Sequence, residues 1–250
     1  MQPIYLNVPY ERKSEAKELG AKFDWDKRLW YANERNIDEL QRKFKIYELL
    51  NNVVGENRGF GGSELYVDMI PSQSWFRNLR TCLVNKDDWN IVRKHVFERV
   101  NYTCECCGLW CKDSKIYDVE DYVKPTQYMH ESTVRELQKW NNIQLEAHER
   151  WSFDDSKKVQ KLERIIALCH RCHTVTHWGL AGIRGLHKEA EDHLMKVNKY
   201  TQDQCSKHIT ERTGFWRSLK EDYKLDLSII RNSGFDIVED DNIYKDTAHS

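Results

Sequence analysis

The sequence predicts an α+β chain: a small β-α-β-α unit, then a larger domain of two strands, a helix and further C-terminal helices. Three observations point there. Over residues 1–48 the apolar positions switch between period 2 and helical spacing. Residues 49–63 carry Gly55, Gly59, Gly61 and Gly62 among Asn and Ser, the composition of a linker. Beyond the linker, two Cys-x-x-Cys pairs bracket an alternating segment and its apolar return. The expected organisation is a module at 1–48, a linker at 49–63, a metal-binding domain at 64–232 and an acidic tail at 233–250.

In the module, Ile4, Leu6 and Val8 alternate with polar neighbours as a strand does. Residues 11–19 lack breakers and precede Gly20, so they predict a helix. Asp24 to Lys27 predicts a turn into a strand ending at Tyr31. Ile37, Leu40, Phe44 and Tyr47 recur at helical spacing, and Trp25, Trp30 and Tyr31 are expected to form a miniature core. After the linker, Leu65 to Ile70 is strand-like. Asn85, with Asp88 three residues on, caps a helix whose apolar face is Trp89, Val92, Val96, Phe97 and Val100. Residues 131–140 predict a helix and residues 143–148 a strand. Residues 159–168 predict its antiparallel return, and a helix starts near Cys172. Two helices follow, over 186–200 and 203–222.

The chain has 250 residues, formal net charge −1 and 32% charged residues, an ordinary soluble composition. Near-neutral charge means that nucleic-acid binding requires a local patch. No run of eighteen apolar residues occurs, so a membrane span is not expected. The first residues lack a basic and apolar leader, which leads us to expect a cytoplasmic protein, or a nuclear one if the host has a nucleus. Eight cysteines in that compartment favour metal ligands or buried thiols over disulfides.

Cys104/Cys107 and Cys169/Cys172 are separated by 61 residues. A two-residue spacer lets both sulfurs of a pair reach one tetrahedral zinc at about 2.3 Å, and two pairs complete the shell. Cys106 could replace a neighbour, whereas Cys82 and Cys205 lack paired spacing and read as core. His173 and His177 are four apart on a predicted helix and share a side of it. His148, at the end of a strand, is the candidate third ligand for a second divalent ion (Mg, Mn, Ni or Zn). Three imidazoles leave coordination positions open for water and a phosphate oxygen. Arg150, Lys161 and Arg164 lie on or beside the strands and are candidate phosphate contacts. His170 reads as a surface residue.

Two stretches carry resemblances. Tyr5-Leu-Asn-Val-Pro9, Leu19-Gly-Ala-Lys-Phe-Asp24 and Trp30-Tyr31 resemble a small uncharacterised module appended to many bacterial and viral proteins, often ones that process nucleic acid. The order Cys-x-x-Cys, strand with His, return strand, then Leu-Cys-x-x-Cys-His resembles the HNH, or ββα-metal, endonuclease superfamily over roughly residues 85–180. That resemblance implies hydrolysis of phosphodiester bonds, most simply in DNA. It makes His148 the first metal ligand and His173 and His177 the helix pair seen in colicin-type nucleases. Two positions depart from the pattern. Glu149 stands where the family has a histidine general base, so the catalytic pair would be His148 and Glu149, or Glu149 would be a fourth ligand. The usual asparagine is missing between Glu149 and Cys169. In an alternative alignment Glu146 is the ligand and His148 the base. A catalytically inactive zinc module of the same fold, binding nucleic acid or protein, is the competing expectation.

Overall fold

Strands β5 (Leu145–Asp154) and β6 (Val159–Cys169) form the ladder on which the rest of the second unit is built. They are the fifth and sixth strands of a computed structural model that describes residues 3–8, 12–25, 29–33, 36–46, 57–71, 74, 78–111, 123–220 and 222–238. The antiparallel register pairs Leu145 with Cys169 and His148 with Ile166. The turn is closed by Asp154, whose Oδ1 accepts bonds from the Ser156 and Lys157 amides at 3.1 and 3.0 Å. Side chains alternate along a strand, so Glu146, His148 and Arg150 share one face of β5. A register shift between Arg150 and Trp151 then breaks the alternation. Residues 164–169 are all buried, which accounts for the unbroken apolar run Ile165-Ile166-Ala167-Leu168. A third strand, β7 (Lys224–Asp226), adds parallel to β6.

Helix α6 (His170–Thr176) follows β6 directly, with Cys169 as its N-cap. Its inner face packs with α5 (Glu131–Trp140) and α8 (His187–Asn198) around Leu137, Trp140, Ile166, Val175 and Leu194. Each such fully buried side chain contributes about 1.5–3 kcal/mol relative to exposure. Helix α9 (Gln202–Ser218) opens with a capping box between Thr201 and Gln204. His208, Arg212 and Trp216 recur at intervals of four, on one face of that helix. All three bond the backbone of residues 67–70. His208 Nε2 accepts from the Val67 amide at 3.3 Å, Arg212 Nε donates to Val67 O at 2.8 Å, and Trp216 Nε1 donates to Ile70 O at 2.6 Å. Asn198 brackets Leu65 with bonds to its N–H and its C=O. The segment expected as a strand at 65–70 is not among the strands of the described residues and is pinned instead by helix side chains.

The chain's contacts divide it into two units: residues 57–78 and 96–226, just described, and residues 1–56, 79–95 and 227–250. In the other unit the sheet order is β2 (Lys22–Asp24), β3 (Leu29–Ala32), β1 (Ile4–Asn7), β4 (Lys45–Ile46), all antiparallel. Helices α1 (Lys13–Glu18) and α2 (Ile37–Lys43) complete it as β-α-β-β-α-β. The expected order lacked the β2 strand of the hairpin and the closing β4. Gly20 adopts φ +84°, and a Cβ there would stand 2.8 Å from Asn36 Nδ2, so only glycine fits. The small core is Leu6, Ala16, Ala21, Ala32, Leu40 and Phe44. Trp25, expected in that core, is 82% exposed. Helices α3 (Leu79–Cys82) and α4 (Asp87–Arg99) follow in sequence, with Asn85 Oδ1 accepting from the Asp87 amide as the cap requires. Helices α7 (Trp178–Ile183) and α10 (Ser228–Arg231) complete the set. Residues 49–56 of the expected linker and 239–250 of the expected tail lie outside the described residues.

Candidate metal centres

The four expected cysteines meet. One sulfur from each of Cys104, Cys107, Cys169 and Cys172 lies within 4.8 Å of the others, and all eight cysteines are free thiols. Cys107 Sγ and Cys169 Sγ are 3.6 Å apart, too far for a disulfide. The separation is close to the ~3.8 Å edge of a tetrahedron with arms of about 2.3 Å. The first pair sits in a tight loop. The Cys104 amide donates to Leu109 O, Gly108 N–H returns to Cys104 O, and Gly108 takes φ +75°. The second pair straddles the junction of β6 and α6. Hydrogen bonds from the other three thiols drive Cys104 far below its ordinary pKa, while bonds to Cys104 and Cys107 push Cys169 and Cys172 well above theirs. A bound dication deprotonates its thiols outright. Four converging thiols are a donor set that fits a structural metal such as zinc. Cys106 stays outside, directed at Glu64 O, with its thiol pushed to about 12 by burial.

The three expected histidines also meet. Donor atoms of His148, His173 and His177 lie within 4.8 Å of one another. His173 and His177 face each other through Nε2 at 3.1 Å. Metal–nitrogen arms of about 2.0–2.1 Å set ligand edges of roughly 2.9–3.4 Å, so this pair is spaced as two ligands of one ion are. His148 is 6% exposed, and burial, opposed by Asp68, holds its pKa below the usual imidazole value. His177 is lowered well below that value, first of all by burial. Both therefore offer neutral rings, the form that binds metal.

Comparison with known proteins reaches only the N-terminal unit. Residues 4–44 match the family described as a domain of unknown function, DUF5710. Neither the curated proteins nor the solved structures contain a match to the chain. That match agrees with the resemblance to an uncharacterised module, and the second unit stands on its own geometry.

Several expected site residues are placed differently. Glu149 lies between His148 and Arg150 on β5, so alternation turns it to the opposite face, away from the histidine cluster. Arg150 and Arg164 do not face solvent, at 0% and 4% exposure. Arg150 donates to the carbonyls of Gly61, Gly62 and Glu64 at 3.0 Å each. Arg164 donates to Arg58 O, Gly62 O and Glu105 Oε1. Both guanidiniums hold residues 58–64 against the hairpin, so neither is positioned for phosphate. Lys161 pairs with Glu163 at 3.2 Å near the turn, well along the hairpin from His148. His170, expected at the surface, is 6% exposed, and its Nδ1 bonds Glu146 Oε1.

Two residues, Asp68 and His193, escaped sequence reasoning, and Glu146, the ligand of the alternative alignment, bonds His170 and, through Oε2, His173 Nδ1 at 3.0 Å. Burial raises its carboxyl pKa, but the bonds from His170 and His173 outweigh that and hold it well below the ordinary range. Asp68 Oδ2 lies 3.3 Å from His148 Nε2. His193 lies 3.2 Å from Cys172 Sγ through Nε2. Face-sharing with His148 singled out Glu146; nothing local marks Asp68 or His193.

Proposed function

We propose that the second unit is a zinc-stapled, HNH-like endonuclease domain that hydrolyses phosphodiester bonds, most simply in DNA. The observation that supports it is the convergence of His148 from β5 with His173 from α6 and His177 at its C-cap, beside a separate four-cysteine cluster. A structural scaffold gains nothing from three further clustered donors next to a complete thiolate cage.

On this reading Cys104, Cys107, Cys169 and Cys172 hold structural zinc, and His148, His173 and His177 hold a second divalent ion (Mg, Mn, Ni or Zn). That ion would supply Lewis-acid stabilisation of charge on the phosphate and leaving oxygen. All-nitrogen donors favour Mn, Ni or Zn over Mg. The hairpin, α6 and its C-cap residue fix the three imidazoles. Glu149, on the opposite face of β5 from His148, is not aimed at the cluster by strand alternation.

A second reading has its own observation. Glu149 turns away, and Arg150 and Arg164 are committed to backbone carbonyls, as suits a module that binds nucleic acid or protein without cleaving. Metal content and cleavage separate the two. The nuclease predicts two ions per chain and nicking of plasmid with Mn²⁺, Ni²⁺ or Zn²⁺, lost in His148→Ala and His173→Ala. Two ions with intact plasmid under every metal would leave the binding module.

A further inference from the structure

Each of two histidines in the cluster has a carboxylate on one ring nitrogen, and the two carboxylates grip opposite atoms. Asp68 Oδ2 meets His148 at Nε2, 3.3 Å away. Glu146 Oε2 meets His173 at Nδ1, 3.0 Å away. A carboxylate only accepts, so the nitrogen it touches carries the proton and the other nitrogen of a neutral ring is left with its lone pair. We propose that Asp68 and Glu146 are positioning residues that fix opposite ring tautomers, leaving His148 to bind through Nδ1 and His173 through Nε2; this rests on the reading of the histidine cluster as a metal centre. The assignment for His173 agrees with its Nε2 facing His177 Nε2 at 3.1 Å.

Both carboxylates are themselves held. Asp68 is buried, its amide donates to Thr176 O at the end of α6, and its Oδ1 lies 3.6 Å from Arg212 Nη2. The stripe of His208, Arg212 and Trp216 on α9 fixes the extended backbone on either side of it. The second oxygen of Glu146 bonds His170, which sits between Cys169 and Cys172, and Gln144 Nε2 lies 3.3 Å from that same oxygen. Glu146 thus joins the thiolate loop to the histidine cluster. Such outer carboxylates orient ligand rings and raise their basicity, and their loss costs 10–100-fold in metal affinity.

Histidine-ring ¹⁵N spectra of the full chain, with one equivalent of zinc in the cysteine site, test the tautomers without any variant. The expected result is the Nε2–H form for His148 and the Nδ1–H form for His173; the reverse in either ring overturns the proposal. Cobalt titration of Asp68→Asn and Glu146→Gln supplies a second measurement. The first ion should bind as in the parent, with its thiolate charge-transfer absorption intact, which shows that the variant is folded. The second should bind about 10–100-fold more weakly, because an amide can donate to the ring nitrogen and select the wrong tautomer. Second-ion affinity within threefold of the parent would overturn the proposal while leaving the metal centre standing. A parent that binds only one ion would instead sink the metal-centre reading.

Discussion

Replacing Glu105 with alanine should loosen the second unit more than any surface change. Glu105 lies between the ligands of the first cysteine loop. Its Oε2 accepts from Arg99 Nη2 at 2.9 Å and from the Ala167 amide at 2.7 Å, and its Oε1 accepts from Arg164 Nη2 at 2.6 Å. Arg99 and Arg164 side chains are 7% and 4% exposed, and Glu105 is 18% exposed. The carboxylate is thus the counter-charge of two buried guanidiniums. At roughly 1.5–3 kcal/mol for a hydrogen bond to a charged group, three such bonds would sum to more than is observed when one buried partner is removed. That cost is about 3–5 kcal/mol, and we take it as the magnitude, since Arg99 keeps Ile165 O and Arg164 keeps Arg58 O and Gly62 O. For a unit of this size each kcal/mol lowers the midpoint by roughly 2–4 °C, so Glu105→Ala should lower it by about 6–20 °C. Thermal unfolding of the zinc-loaded protein, followed by circular dichroism and by zinc release to a chromogenic chelator, reads both fold and cage. A shift under about 2 °C with unchanged zinc release would refute the network.

Other outcomes follow from the same geometry. Stripping the cysteine site with a strong chelator should melt α6 and its surroundings, because structural zinc contributes roughly 10–16 kcal/mol in small domains; a far-ultraviolet spectrum unchanged by chelation would contradict it. Gly61→Ala should cost about 1–3 kcal/mol, since Gly61 sits at φ +68° and its Cβ would stand 2.6 Å from Arg150 Nη1 and 2.7 Å from the Tyr66 hydroxyl. Urea unfolding measures it, and a variant as stable as the parent would count against the clamp. Burial raises the Cys106 thiol to about 12, so thiolate is scarce below that pH and grows as pH rises. Its alkylation rate, followed by peptide mass spectrometry, should therefore climb about tenfold per pH unit through pH 10; a plateau near pH 9 would mark an ordinary thiol.

What could be read from the letters was what repeats locally. The helix at 131–140 carried its own periodicity and appears at those bounds. The return strand was visible as an apolar run, and the cysteine pairs as two identical spacers. The i, i+4 spacing of His173 and His177 foretold that they meet. Strand parity was equally available and excluded Glu149 from the face of His148, although the family pattern suggested otherwise. Arg150 shares that face, so its burial was also implied. Asp68 was not legible: it approaches His148 from 80 residues away, through a segment that a helix stripe, rather than its own alternation, holds in place. His170 looked exposed because polar residues inside a metal loop often are, and only the carboxylate of Glu146 explains its burial.

Cys172 and His173 are neighbours on a helix of seven residues, so the sulfur cage and the imidazole cluster share one small rigid piece. Damage to either therefore propagates. Peroxide that couples two of the thiols would expel zinc, release the helix start and scatter the imidazoles, although imidazole itself resists such oxidants. If the histidine cluster holds an ion, as proposed, cellular redox stress would act as its off-switch and would register as that ion lost in step with thiol loss.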